Sequence, residues 1–301
     1  MTIADAHIHF FSHRFYSLLA AQKGVTVTEA AAILGWPLPP EDPVELARVW
    51  DVELERNGVS HAVLIASLPG DSGSVVAAVA AFPGRFSGYF FLDPTADGAA
   101  RMAESAAAEG LRGMCLFPAL HGYALSDPRV GEAIEAVSSG ASGRSVVFVH
   151  CGALSIGVRN RLGLPTAYDL RYGNPMDLHA VARRHPAATF VVPHFGAGLF
   201  RETLMLADLC PNVYLDTSST NRWMRYQPPG IDLAQVFERS MEVAGAGRLL
   251  FGTDSSFFPR GWNRAVFEAQ SQALDAAGCS GEDKAAILGG NLLGLLQPEP
   301  S

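Results

Sequence analysis

The chain has 301 residues, a net charge of −8, and a composition that is 49% hydrophobic and 17% charged. That size and apolar content suit a large globular fold with a full core. The acidic balance argues against a nucleic-acid partner, because phosphate binding needs a basic surface, and no apolar run is long enough to span a membrane.

No secretory signal precedes the first apolar run, and Cys115, Cys151, Cys210 and Cys279 form no Cys-x-x-Cys pair. Both features predict a reduced, cytoplasmic protein. Lys23 and Lys284 are the only lysines; the other twenty basic residues are arginines.

Short apolar runs alternate with longer helical patterns along the chain. Strands are predicted at Ile3–His9, Ala62–Ser67, Phe86–Leu92, Gly113–Phe117, Val146–His150, Thr189–His194, Val213–Asp216 and Leu249–Thr253. Most are near-continuous in apolar residues, the pattern of parallel strands buried on both faces. Helices are predicted near 44–57, 73–82, 97–109, 128–139, 176–185, 198–209, 231–244 and 262–277. Several start at Asp-Pro or Asn-Pro, as at Asp42-Pro43, Asp127-Pro128 and Asn174-Pro175. Eight strands with eight intervening helices predict an α/β fold, a (β/α)8 TIM barrel occupying 1–301 as one domain. A doubly wound open sheet is the alternative, but no Gly-x-Gly-x-x-Gly follows the first strand.

Residues 11–43 exceed an ordinary strand-to-helix loop. They carry two helical stretches, Arg14–Ala21 and Glu29–Leu34, then Gly35-Trp36-Pro37-Leu38-Pro39-Pro40. This insertion is expected over the barrel mouth as a lid or substrate wall. A last helical stretch, Asp283–Leu296, is expected to close the outer layer.

The barrel prediction locates the chemistry, because active sites of this fold lie at the C-terminal ends of the strands. His7 and His9 share one parity, so both imidazoles project from one face of the first strand. A lone His-x-His is a weak signal. His150 ends the fifth strand, His194 the sixth and Asp254 follows the eighth, each two residues on from another inward candidate. Four imidazoles and a carboxylate converging at one mouth point to a metal site.

The set Asp5-Ala-His7-Ile-His9, His150-Cys-Gly152, His194-Phe-Gly196 and Phe251-Gly-Thr-Asp254 resembles the amidohydrolase superfamily. More narrowly it resembles the amidohydrolase-related group that includes aminocarboxymuconate-semialdehyde decarboxylase and related hydrolases, decarboxylases and hydratases. The resemblance implies metal dependence, with His7, His9, His150 and Asp254 as ligands and His194 as a general base or further ligand. His194 and Asp254 are then the expected catalytic pair.

The fourth strand departs from that pattern. Binuclear members commonly bridge two metals there with a carboxylated lysine or a glutamate, whereas this chain has Gly113-Met-Cys115-Leu-Phe-Pro118. Neither lysine lies at a strand end, which also removes a Schiff-base mechanism. One divalent ion is expected, zinc first, with iron or manganese as alternatives. Cys115, His121 and His13 are candidates for a second site. If they were recruited, a non-haem (di)iron, oxygen-dependent hydroxylase would become the alternative function. His61, His179 and His185 are assigned no functional role.

Arginines mark the predicted catalytic face. Arg159, Arg161 and Arg171 follow the fifth strand, Arg222 and Arg225 the seventh, and Arg260 the eighth. Guanidinium forks suit carboxylates and phosphates. The expected substrate is a small organic anion, held by Arg159, Arg171, Arg225 and Arg260. Its apolar part is expected against Trp36, Phe257, Phe258 and Trp262. The leading reading is a metal-dependent hydrolase or non-oxidative decarboxylase. A homodimer is compatible with the fold, and a metal-holding binding protein or a nuclease is disfavoured.

Overall fold

The computed structural model describes residues 1–140, 145–218 and 222–297. The last four residues of the expected 1–301 domain lie outside them. Eight parallel strands form one sheet in sequential order. They are β1 (Ile3–His9), β2 (Val59–Ile65), β3 (Phe86–Leu92), β4 (Gly113–Leu116), β5 (Val146–Val149), β6 (Thr189–Val192), β7 (Val213–Asp216) and β8 (Leu249–Leu250). The sheet curls until β8 meets β1. There the seam is made by a parallel bridge between Ile8 and Ser255 and by Ala6 N–H and His9 N–H donating to the Phe251 and Ser255 carbonyls, at 2.8 and 2.7 Å. The architecture is a (β/α)8 barrel, as the alternation of elements predicted.

Two apolar layers follow from the strands being buried on both faces. Inside the barrel, Ala4, Ala6, Val63, Tyr89, Cys115, Phe148 and Val191 pack together. Outside it, Leu64, Phe90, Val147, Phe190 and Leu215 pack against the helices. The C-terminal segment departs from expectation. It breaks into a helix at Gly281–Ala285, a π-turn segment at Ala286–Gly290 and a helix at Asn291–Leu296. Gly289 sits against the start of β1, where a Cβ would lie 2.5 Å from the Thr2 carbonyl oxygen. Leu292 and Leu295 belong to the barrel-interior cluster. The segment therefore plugs the barrel at the N-terminal end of β1 instead of joining the outer layer.

The insertion forms two helices, α1 (His13–Lys23) and α2 (Val27–Leu34), and is followed by the first barrel helix, α3 (Pro43–Arg56). Each has a side-chain cap: Ser12, Thr26 with a Glu29 capping box, and Asp42. Helices α1 and α2 share a small core of their own with the segment after β5: Phe15, Leu19, Ala31 and Leu34 meet Val158, Leu162 and Leu164. The insertion and the β5 segment thus form one cap beside the mouth. Asp71, after β2, anchors it by accepting both contacts from the Ser12 hydroxyl at 2.7 and 2.9 Å.

Helix α3 returns the chain to the barrel through Trp50, which is 1% exposed and lies 4.8 Å from the Phe258 ring. Trp50→Ala removes that ring from a closed contact. It should destabilise the protein by about 3–5 kcal/mol, read as a lower urea midpoint at unchanged slope.

Candidate metal centre

Three side chains meet at the mouth across the β1–β8 seam. His7 Nε2 lies 3.3 Å from His9 Nε2, and Asp254 Oδ1 lies 3.6 Å from the first and 3.2 Å from the second. Ligands about 2.0–2.1 Å from a tetrahedral zinc stand roughly 3.3 Å apart. The triangle of donors therefore fits a first-row divalent ion. Among the described residues these are the one group of three or more such side chains close enough to share an ion.

The hydrogen bonds behind the rings fix which nitrogen faces the mouth. His7 Nδ1 lies 2.7 Å from Asp216 Oδ2, which can only accept, so this nitrogen carries the proton. His9 Nδ1 lies 2.8 Å from the Ser67 hydroxyl, which itself donates to the Ile65 carbonyl at 3.1 Å; His9 Nδ1 is thus the donor. Both Nε2 atoms are left to bind an ion. A carboxylate behind a ligating histidine orients the ring and raises its basicity.

A second carboxylate holds the frame. Asp5 Oδ1 accepts from His7 N–H at 2.9 Å and Thr253 N–H at 3.1 Å. Asp5 Oδ2 accepts from the Thr253 hydroxyl at 2.5 Å and the Trp262 indole at 2.7 Å. Burial pushes the Asp5 carboxyl up to about 6, against the pull of those four donors. Gly252 leaves the room this needs: a Cβ there would meet His7 Cβ at 2.9 Å and Asp216 Oδ1 at 3.0 Å.

His194 and His150 line the same cavity but stand outside the triangle. The His194 ring is 5.2 Å from that of His7, and the His150 ring 5.5 Å from that of His194. His194 Nδ1 faces the Ser218 carbonyl at 3.1 Å and the Ser218 hydroxyl at 2.8 Å. That hydroxyl donates to Asp216 Oδ1 at 2.5 Å. The His194 Nδ1 proton is therefore directed to Ser218 and Nε2 is free to accept one. Burial lowers the pKa of both rings, so both are neutral near pH 7.

Neither His194 nor Asp254 reaches the mouth by strand alternation. β6 ends at Val192 and β8 at Leu250, and both residues adopt positive φ, 55° and 54°. Left-handed backbone is costly for a residue with a Cβ and persists where the surroundings enforce it. Here Gly196, also at positive φ, allows the turn to close on Thr203, whose hydroxyl a Cβ would overlap.

The cavity above these groups holds about 970 Å³. Arg159, Arg225 and Arg260 line it as expected, joined by Arg161 and Arg222. Arg159 donates to Gln22 and the Pro165 carbonyl, Arg161 to the Leu34 carbonyl, and Arg260 to the Asp254 carbonyl and the Ser256 hydroxyl. Those acceptors are neutral, and Arg260 also feels the charge of the Asp254 carboxylate.

Five expected residues fall elsewhere. Phe258 lines a neighbouring cavity, where it packs on Trp50, because its ring turns away from the mouth. Arg171 is 84% exposed and pairs with Asp169 at 2.5 Å outside the cavity lining. Trp262 is 3% exposed behind the seam, where its indole binds Asp5; it supports the site and does not line it. Cys115 is fully buried inside the barrel, with its thiol pKa pushed up by burial, because β4 carries it one layer below the mouth. His13 starts α1 and does not line the cavity. His121 does line it, against Phe91 at 5.3 Å, but stands outside the ligand triangle. Cys115, His121 and His13, the candidates for a second site, are not brought together with a shared ion position among the described residues.

Asp216, Ser218 and Ser67 are functional neighbours that the strand-end search passed over. Asp216 had a signal: it is an aspartate ending a buried apolar strand.

Two outcomes follow for the free and loaded protein. Asp216→Asn should weaken zinc binding by roughly 10–100-fold, measured by chelator competition. Burial opposes a charge on His7, yet Asp216 and Asp254 overcome it and raise its pKa to about 9 in the ion-free protein. An ion must displace that proton. Affinity should therefore rise by roughly tenfold per pH unit between pH 6 and 8, and a flat profile would count against His7 as a ligand.

A family model described as amidohydrolase matches residues 4–292. The fold is similar to that of a probable 2-pyrone-4,6-dicarboxylic acid hydrolase from Acinetobacter baumannii, with a TM-score of 0.61 and 17% identity, covering 98% of this chain and 99% of that one. It is also similar to an amidohydrolase from Burkholderia multivorans with bound zinc, with a TM-score of 0.62 and 16% identity over 98% and 99% of the two chains. At those identities the likeness is one of fold. A curated relative, Protein fluG of Emericella nidulans, is 31% identical over 91 residues, 30% of this chain and 10% of that protein. This chain thus spans about a tenth of that relative's length. With its barrel, its seam of ligands and a family match over nearly its whole length, the chain belongs to the amidohydrolase family.

Proposed function

We propose that the protein is a metal-dependent hydrolase acting on a small organic anion. The carrying observation is the preformed triangle of His7 Nε2, His9 Nε2 and Asp254 Oδ1 at 3.2–3.6 Å, beneath a cavity wall that carries five arginines. The donor set of imidazoles and one carboxylate suits zinc, iron or manganese. His150, neutral and cavity-lining beside the triangle, is the candidate for a further ligand.

A divalent ion held there supplies Lewis acidity and brings water toward neutral pKa. The chain's residues do the rest. Arg159, Arg225 and Arg260 hold the substrate anion, and Trp36 and Phe257 shield its apolar part from solvent. His194 Nε2 takes a proton during attack on the carbonyl and returns it to the leaving group. Ser218 keeps the ring in the required tautomer by accepting at Nδ1. Asp254, held well below the usual carboxylate range by its histidine neighbours despite burial, stays ionised throughout. No helix among the described residues is long and apolar enough to cross a membrane, in keeping with a soluble substrate.

The reading is tested by screening zinc- and manganese-loaded enzyme against carboxylated lactones and esters, with proton release and carbon dioxide release followed in parallel. Proton release without carbon dioxide is expected. His194→Ala should keep its metal and lose roughly 10²–10⁴-fold in kcat. Carbon dioxide release would replace hydrolysis by decarboxylation at the same residues, and full activity in His194→Ala would remove its role as base.

A further inference from the structure

A second cavity of about 660 Å³ lies beside the first. Phe11, Ser256 and Phe257 line both, so the two are separated by side chains and not by a layer of backbone. The annex is largely apolar, walled by Tyr16, Leu38, Leu46, Trp50 and Phe258. Four charged side chains also line it, Glu45, Arg48, Glu53 and Arg56. Arg48 pairs with Glu45 at 3.7 Å, and Glu53 accepts from the Trp262 amide at 3.2 Å.

The partition is a stack of rings. Trp36 lies on Phe257 with centroids 4.0 Å apart and planes 11° from parallel. Guanidiniums flank the pair: Arg161 lies 5.5 Å from the Trp36 ring and Arg260 lies 4.6 Å from the Phe257 ring. Aromatic stacking and cation–π attraction each favour this arrangement. The same groups come from three segments: the insertion, the loop after β5 and the loop after β8. Arg260 also donates to the backbone carbonyl of the ligand residue Asp254.

We propose that Phe257, clamped by Trp36, is the specificity-determining residue that limits substrate length. Its ring closes the reaction cavity against an apolar annex that would otherwise receive a longer hydrophobic arm. This rests on the reading that the arginine-lined cavity binds small organic anions.

The test uses the full-length, zinc-loaded protein and straight-chain carboxylates from butanoate to dodecanoate, titrated by calorimetry. In the unchanged protein, affinity should climb with chain length and then level off once the first cavity is filled. Phe257→Ala should extend the climb by several carbons, at up to about fourfold tighter binding per methylene buried. Trp36→Ala should extend it in the same direction, which guards against a folding defect in either variant, and melting curves check both. Adding Val49→Trp to Phe257→Ala fills the annex, because Val49 lines it, and should restore the original limit.

A limit at the same length in both single variants, or one insensitive to Val49→Trp, would overturn the proposal. If no carboxylate binds any of these proteins, the anion reading fails separately. The same series as straight-chain alcohols then reads the partition alone, with the same two outcomes.

Discussion

One buried carboxylate, Asp5, joins the two edges that make this sheet a barrel. It takes the β1 amide of His7 on one side and the amide and hydroxyl of Thr253 and the indole of Trp262 on the other. The candidate ligands straddle that join: His7 and His9 come from β1, and Asp254 from the turn after β8. A buried charge is tolerated only when its hydrogen bonds are made. The cost of leaving Asp5 unsatisfied therefore ties closure of the barrel to assembly of the site. Gly252 serves the same end by leaving space between His7 and Asp216.

A shell of hydrogen bonds then sets the direction of the His7, His9 and His194 rings. Asp216 lies at its centre, with one oxygen on His7 Nδ1 and the other on the Ser218 hydroxyl that meets His194. The candidate ligand His7 and the proposed base His194 are thus oriented from the same carboxylate. Burial alone would hold His7 neutral; the anionic neighbours reverse this in the ion-free protein. Charge on the opposite wall is arranged differently. Arg159 and Arg161 spend their donors on neutral oxygens or lie over a ring, whereas Arg260 also feels the Asp254 carboxylate.

Much of this was legible in the sequence because buried parallel strands write themselves as continuous apolar runs. The His-x-His of β1 was readable by strand parity. His150, His194 and Asp254 were found by their places after apolar runs, but for two of them the parity argument does not apply. Their backbones leave the extended region at φ 55° and 54°, a turn conformation fixed by contacts distant in sequence. Distant contacts also explain the misplacements. Trp262 and Arg171 sit on the expected loops, yet the first turns inward to Asp5 and the second pairs with its neighbour Asp169. Cys115 has the right strand and the wrong layer. Asp216 was visible as a strand end and acquires its meaning only from His7, 209 residues away.

The central claim is that His7, His9 and Asp254 form an oxygen–nitrogen ligand set for one divalent ion. X-ray absorption at the zinc edge of the stoichiometrically loaded protein tests it most directly. The account predicts nitrogen and oxygen neighbours at about 2.0–2.1 Å with the outer-shell scattering of at least two imidazoles. A sulfur neighbour at about 2.3 Å, or a shell without imidazole, would contradict it.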